Sequence, residues 1–321
     1  MIPHYVLLVH GIGDEKKGFN RGLSKNIRKK FAAVVTRLSQ PAQEGVNIEE
    51  VVWSEVTQKD QDHLWRLLFP RLPEKRVGWG ILFRHPGAWI PRLRYLSYLR
   101  QFVMNYLGDP IAYAPGKPKY QQIHDAVLRQ CTEIARAAAA KGATSDNPAL
   151  LTVVAHSLGS VIFSDLFYEL TRPDRERAWP PQIRLANFIS MGSPLALYSL
   201  RYGFEPTMFS EPITMQDRDH GLWINVYDPQ DILGYPLKPL NPQYDQAVFL
   251  DKEINAGQWW RFWQWLAQIS PFSHLLYWGD DTVAELIGRK AALDWLRTTH
   301  PEMERVLKLE YETYKAWVRG A

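Results

Sequence analysis

Thr152-Val-Val-Ala-His-Ser-Leu-Gly-Ser160 is the stretch on which the reading of this chain turns. The apolar run 150–155 has strand length, and the apolar positions of 158–170 have helical spacing, so Ser157 falls on the bend between a buried strand and a helix. Ala155 two residues before it and Gly159 two after it are small enough for strand and helix to close around a tight turn. A hydroxyl on such a bend is presented at a helix N-terminus, where the local dipole favours negative charge. Ser157 is therefore the candidate nucleophile. An ordinary small-residue turn could use the same residues, and the strand before and helix after are what favour the chemical reading. The surrounding uncharged run, 147–164, reads as this strand and helix and not as a membrane span.

Upstream, Tyr5-Val-Leu-Leu-Val9 is a continuous apolar run, the pattern of a strand buried on both faces of a parallel sheet. It leads directly into His10-Gly11-Ile12-Gly13. Backbone N–H groups in a glycine-rich loop can donate to an oxyanion without a side chain in the way, and open α/β sheets place their sites at strand C-termini. The expected donors are the N–H groups of Ile12 and Leu158, with Gly11 and Gly13 keeping the loop bare. His10 reads as a structural residue of that loop. Leu23, Ile27, Phe31, Val34, Val35 and Leu38 predict a helix over 20–39, and 46–56 a second strand. Strand, helix, strand is the unit that forces a right-handed crossover and parallel pairing.

Downstream, a helix is expected over 119–141, stopped by Gly142. Further strands are expected at 183–191, 222–227 and 247–250, and terminal helices at 282–299 and 302–318, with Pro301 at a helix start. The alternation predicts an α/β fold of the doubly wound type, a mostly parallel sheet flanked by helices.

Composition bounds the rest. The 321 residues are 46% hydrophobic and 22% charged, which is globular. The single cysteine, Cys131, rules out an intrachain disulfide and a cysteine-based zinc site, and fits a reducing compartment. Met1-Ile-Pro-His-Tyr5 has no basic n-region, so no secretory signal is expected. The net charge is +4, yet between Asp62 and Gly108 eight basic residues face only Asp62 and Glu74. That segment carries +6 and the remainder −2, so the basic excess belongs to one insertion. This weakens a nucleic-acid reading, and no nucleic-acid motif accompanies it. His124 and Asp125 lie on a predicted helix without a third ligand nearby in sequence, and no phosphate-binding loop is present. Neither metal nor organic cofactor is expected.

The serine bend and the His-Gly loop resemble the α/β-hydrolase superfamily, its serine esterases and lipases in particular, with Ala155 where the usual motif has glycine. The resemblance covers most of the chain and implies an abbreviated N-terminus without the leading hairpin. It also implies an acid after the next strand but one beyond the bend. Asp228 and Asp231, in Tyr227-Asp-Pro-Gln-Asp-Ile-Leu233, compete for that place. Asp231 is favoured because the following Ile-Leu-Gly-Tyr-Pro resembles lipase segments, and Asp228 then caps the turn around Pro229. The resemblance places a histidine later still, before a terminal helix. His274 is the only histidine between Asp231 and the penultimate helix. The chain order Ser157, Asp231, His274 is the order of that superfamily. Met191-Gly-Ser-Pro-Leu195 and Gly108-Asp-Pro-Ile-Ala-Tyr113 resemble lipase and esterase stretches and read as architectural.

Residues 58–115, rich in proline, aromatics and arginine, read as an inserted cap within a single domain. Trp259 and Trp263 belong to an aromatic cluster before His274. With His10 and His156 they are the residues expected to line the substrate. The function implied is hydrolysis of a small-molecule or lipid carboxylic ester through an acyl-enzyme. The alternatives are a membrane-associated lipase, phospholipase or acyl thioesterase, and a catalytically silent fold used for partner binding. The expected location is cytoplasmic, with peripheral contact of the basic aromatic cap on anionic membrane as the further expectation.

Overall fold

The computed structural model describes residues 1–11, 18–38, 45–68, 109–172, 177–201, 211–256 and 273–320. The chain divides into two compact units. One comprises Met1–Gly11, Lys17–Val51 and Val127–Ala321, and the other Ile12–Lys16 and Val52–Ala126. The second takes in the insertion expected at 58–115 and begins before it and ends after it.

The first unit is built on six strands: β1 (His4–Val9), β2 (Val46–Val51), β3 (Ala149–His156), β4 (Ile183–Met191), β5 (Leu222–Tyr227) and β6 (Leu250–Glu253). They form one sheet in the order β2-β1-β3-β4-β5-β6, and every neighbouring pair is parallel. The chain steps outward from β1 to β2, returns past β1 to β3, and then proceeds to the other edge. The carboxyl ends of β1 and β3 therefore flank the point where the winding reverses, which is where open α/β sheets hold their sites.

Alternation of side chains along each strand builds two apolar layers. Val6 and Leu8 of β1, Val154 of β3, Ile189 of β4 and Ile224 and Val226 of β5 share one core. The helices α1 (Arg21–Leu38), α8 (Asp281–Thr299) and α9 (Glu304–Gly320) bury Leu23, Ile27 and Phe31, Leu286 and Ile287, and Tyr314 in the same layer. On the opposite face Phe163 of α4 (Leu158–Leu170) packs on Phe188 with ring centroids 5.4 Å apart, and Phe188 lies 5.1 Å from Trp223. Asp280 starts α8 by accepting the N–H groups of Thr282 and Val283 at 2.8 and 3.1 Å.

Three elements differ from expectation by more than one residue. The second strand ends at Val51, because Ser54 and Glu55 open a helix, α2 (Glu55–Leu68). The Ser54 carbonyl accepts the N–H of Thr57 and Gln58, and an acidic residue occupies the first turn, where the dipole favours it. The sixth strand shares only Leu250 with the expected 247–250. Asn241 caps the short helix α6 (Pro242–Ala247), its Oδ1 accepting from the Tyr244 N–H at 2.9 Å, and Pro242 stands in the first turn. The strand itself runs on through Asp251, Lys252 and Glu253 at the sheet edge. The last helix starts at Glu304, after a 3-10 turn over Pro301–Met303.

In the second unit α2 and the start of α3 (Pro118–Ala140) are described. Lys119 holds the Val56 carbonyl at 2.6 Å, Gln61 donates to Asp109 at 2.6 Å, and the Tyr113 hydroxyl pairs with His124 Nε2 at 2.8 Å. Among the described residues no helix is long and apolar enough to cross a membrane, and no cluster of His, Cys, Asp and Glu could hold a metal.

Candidate active site

Four strand ends meet here. β3 delivers Ser157 on a bend with φ +53° and ψ −132°, the only positive φ at a non-glycine among the described residues. That conformation costs on the order of 1–3 kcal/mol. It is held on both sides: the Ser157 N–H donates to the Met191 carbonyl at 2.9 Å, and its carbonyl accepts Ser160 N–H at 3.0 Å and Ser160 Oγ at 2.6 Å. The Ser160 proton is thereby used, so Ser193 Oγ donates to Ser160 Oγ across 2.7 Å. The bend also demands bare backbone. A Cβ on Gly159 would stand 2.3 Å from the His10 carbonyl oxygen, and one on Gly11 would stand 2.5 Å from Ser157 Cβ. Ser157 occupies the N-cap of α4, but its hydroxyl makes no capping bond.

That hydroxyl faces His274 instead, with Oγ 2.7 Å from Nε2. His274 sits in the short helix α7 (Ser273–Leu276), which leads into a 3-10 turn over Tyr277–Gly279. Its Nδ1 lies 2.8 Å from Asp231 Oδ2 and 3.0 Å from Oδ1. An ionised carboxylate only accepts, so Nδ1 carries the ring proton and Nε2 is left to accept from the serine. All three residues are buried: Ser157 1%, Asp231 5% and His274 1% exposed.

Asp231 follows β5. Burial pushes its carboxyl upward, but the His274 ring, the Leu233 N–H at 2.9 Å and the Tyr277 hydroxyl at 2.9 Å outweigh this and hold it below the usual carboxylate range. Asp228 is turned elsewhere. Its Oδ1 accepts the Gln230 N–H at 2.8 Å, closing the turn at Pro229, and its Oδ2 accepts the Ala256 N–H at 2.9 Å. Burial raises its carboxyl, and these two N–H groups only partly offset that.

His156 and His10 were expected to line the substrate, and both are buried in the scaffold. His156 Nε2 lies 2.6 Å from the backbone carbonyl of His274, which can only accept, so this nitrogen carries the proton. The residue before Ser157 thus grips the main chain of His274. His10 Nδ1 donates to the Gly11 carbonyl at 2.8 Å, and its ring meets the edge of Phe19 at 5.5 Å. Burial lowers both imidazoles, His156 to about 3 and His10 to about 4, so both are neutral at ordinary pH. Of the expected oxyanion donors, the Leu158 N–H opens α4, where no intrahelical carbonyl is available to it. Ile12, Gly13, Trp259 and Trp263 lie outside the described residues.

Two residues at this site were not singled out by the sequence. Tyr277 bridges Asp231 and the Asp228 N–H, and its spacing of three from His274 on a helical turn is the signal that could have found it. Gly192, which the sequence marks only as part of an architectural Gly-Ser-Pro, lies against Asp231 and His274. A cavity of about 290 Å³ opens between the starts of β1 and β3 and the end of α8, and one of about 450 Å³ lies beside Phe167, Arg172 and Met215. Neither is lined by Ser157, Asp231 or His274.

No protein-family model matches the chain, and no curated protein is significantly similar to it.

Proposed function

We propose that the protein is a serine hydrolase that cleaves carboxylic esters through an acyl-enzyme on Ser157. The observation that supports this reading is the unbroken chain Ser157 Oγ, His274 Nε2, His274 Nδ1, Asp231, with links of 2.7 and 2.8 Å, assembled from segments more than forty residues apart. The chain order serine, aspartate, histidine is also the one the α/β-hydrolase superfamily uses, which supports the same reading.

In this reading His274 Nε2 takes the hydroxyl proton as Ser157 Oγ attacks the ester carbonyl carbon. Asp231 keeps the imidazole in the required tautomer and stabilises the imidazolium that forms. The oxyanion is met by the Leu158 N–H at the helix start. Collapse of the tetrahedral intermediate expels the alkoxide, which leaves as the alcohol with the proton from His274. Water then repeats the sequence, its proton passing to His274 and on to Ser157 as the acid departs.

Ser157→Ala tests the proposal. Turnover of a p-nitrophenyl ester should fall by about 10⁴-fold or more, and labelling by a fluorophosphonate should vanish, with circular dichroism unchanged. Retained turnover in a folded variant would refute it.

A second reading, action on acyl lipids at a membrane surface, is favoured by one observation. Leu64, Leu67 and Leu68 of α2 are exposed at helical spacing, 45%, 64% and 54% respectively. A stripe of this kind on an amphipathic helix suits an interfacial contact.

A further inference from the structure

Among the described residues the Tyr277 hydroxyl is the one side-chain group that touches both aspartates of the loop after β5. The Asp228 N–H donates to it at 2.8 Å, so its own proton is directed to Asp231 Oδ2, 2.9 Å away. Oδ2 is also the carboxylate oxygen nearer to His274 Nδ1, at 2.8 Å. The phenol is fully buried, and its ring stands 5.7 Å from that of His156 and 6.5 Å from that of His274. Two donors thus compete for the charge of one oxygen.

We infer that Tyr277 is a positioning residue that sets how strongly Asp231 holds the proton of the His274 imidazole. The inference rests on the hydrolase reading for its functional meaning, since it is the base of that reaction that would be tuned. The physical argument is local. A hydrogen bond from the phenol spreads the carboxylate charge and weakens the pull of Oδ2 on Nδ1–H. Burial and the adjacent Asp231 charge push the phenol's ionisation upward, so it remains a donor throughout the working range. The other titratable groups around the ring are accounted for. His156, from the end of β3, has its ring 4.7 Å from that of His274 and is neutral above about 3. His10, from the end of β1, acts electrostatically on His156 and is neutral above about 4. Asp228 directs both carboxylate oxygens at backbone N–H groups. Besides His274 itself, Tyr277 is therefore the described donor on Asp231 that a side-chain substitution can remove, the Leu233 donor being backbone.

The test is an NMR titration of the histidine ring protons, with the His274 signals assigned by their loss in His274→Gln. In Tyr277→Phe the carboxylate keeps more charge on Oδ2 and stabilises the imidazolium. The His274 titration should move to higher pH by roughly half a unit to one unit, the scale of one hydrogen bond. 3-Fluorotyrosine incorporated at position 277 keeps the ring and hydroxyl but is a stronger donor, and should move it to lower pH. Opposite shifts support the inference. An unchanged titration, or a shift of the same sign in both variants, overturns it. If Tyr277→Phe does not fold, the fluorotyrosine protein decides alone: a downward shift supports and no shift overturns. Because the titration needs no turnover, it is independent of fluorophosphonate labelling of the unmodified protein. Absence of that label would sink the hydrolase reading while leaving the Tyr277 result intact.

Discussion

Gly192 carries as much of the site as any side chain around it. It has φ +52°, its N–H donates to the Val226 carbonyl at 2.9 Å, and a Cβ there would lie 2.8 Å from Asp231 Oδ2 and 3.1 Å from His274 Nδ1. A methyl group would have to displace Asp231 from His274, and the backbone would be strained as well. Gly192→Ala should lower stability by about 1–2 kcal/mol through the left-handed backbone alone. It should cut kcat of the proposed ester turnover at least about tenfold. Urea unfolding and steady-state kinetics read the two effects separately, and unchanged kcat would mean that the acid–base contact is not needed. At this scale the sequence was legible where a residue type is demanded by backbone geometry. Ser157 and Gly159 announce the bend, since few other residues could make it. Tyr277 and the interior placement of His156 were not legible, because both depend on which distant carbonyl or carboxylate the side chain meets.

Elements were readable to the degree that they are buried. β1, β3, β4 and β5 are apolar along nearly their whole length, and their bounds agree with the apolar runs to within one residue. The edge strands were expected, at 46–56 and 247–250, but with the wrong bounds: β2 has half-buried Asn47, Glu49 and Glu50, and β6 consists largely of Asp251, Lys252 and Glu253. An edge strand is held by backbone pairing on one side and tolerates charge, so its side chains carry little strand signal. The exposed stripe of α2 yields a prediction at this scale. If it serves an interface, Leu64→Gln with Leu67→Gln should reduce co-sedimentation with anionic liposomes several-fold while turnover of a water-soluble ester stays unchanged. Equal sedimentation of both proteins would remove the support for the lipid reading.

Across the whole molecule, buried imidazoles set the response to acid. His4, His10 and His156 are lowered by burial from the ordinary 6.5 to about 4, about 4 and about 3. Between those values and 6.5 the unfolded chain binds more protons than the folded one, so their contribution is fully present above pH 6.5 and is lost as the pH falls toward 4. Each contributes a slope of about 1.4 kcal/mol per pH unit in that window. Urea midpoints should therefore fall between pH 7 and pH 4.5, and His4→Gln should flatten the fall. An unchanged midpoint would show that these rings are not buried neutral. His4 also anchors a polar network within the core. It meets Thr152 at 2.8 Å, Asn187 links Thr152 to Asp294, and Asp294 pairs with the fully buried Lys290 at 2.7 Å. The sequence by itself determined the α/β alternation, the serine bend and the chain order of the candidate nucleophile, acid and base, because apolar runs and small residues act over a few positions. Only the tertiary structure showed that Asp231 and not Asp228 meets His274, buried His156 and His10, and brought Tyr277 to Asp231. Those outcomes depend on which groups face each other across parallel strands, and crossover connections bring together residues that no local pattern relates.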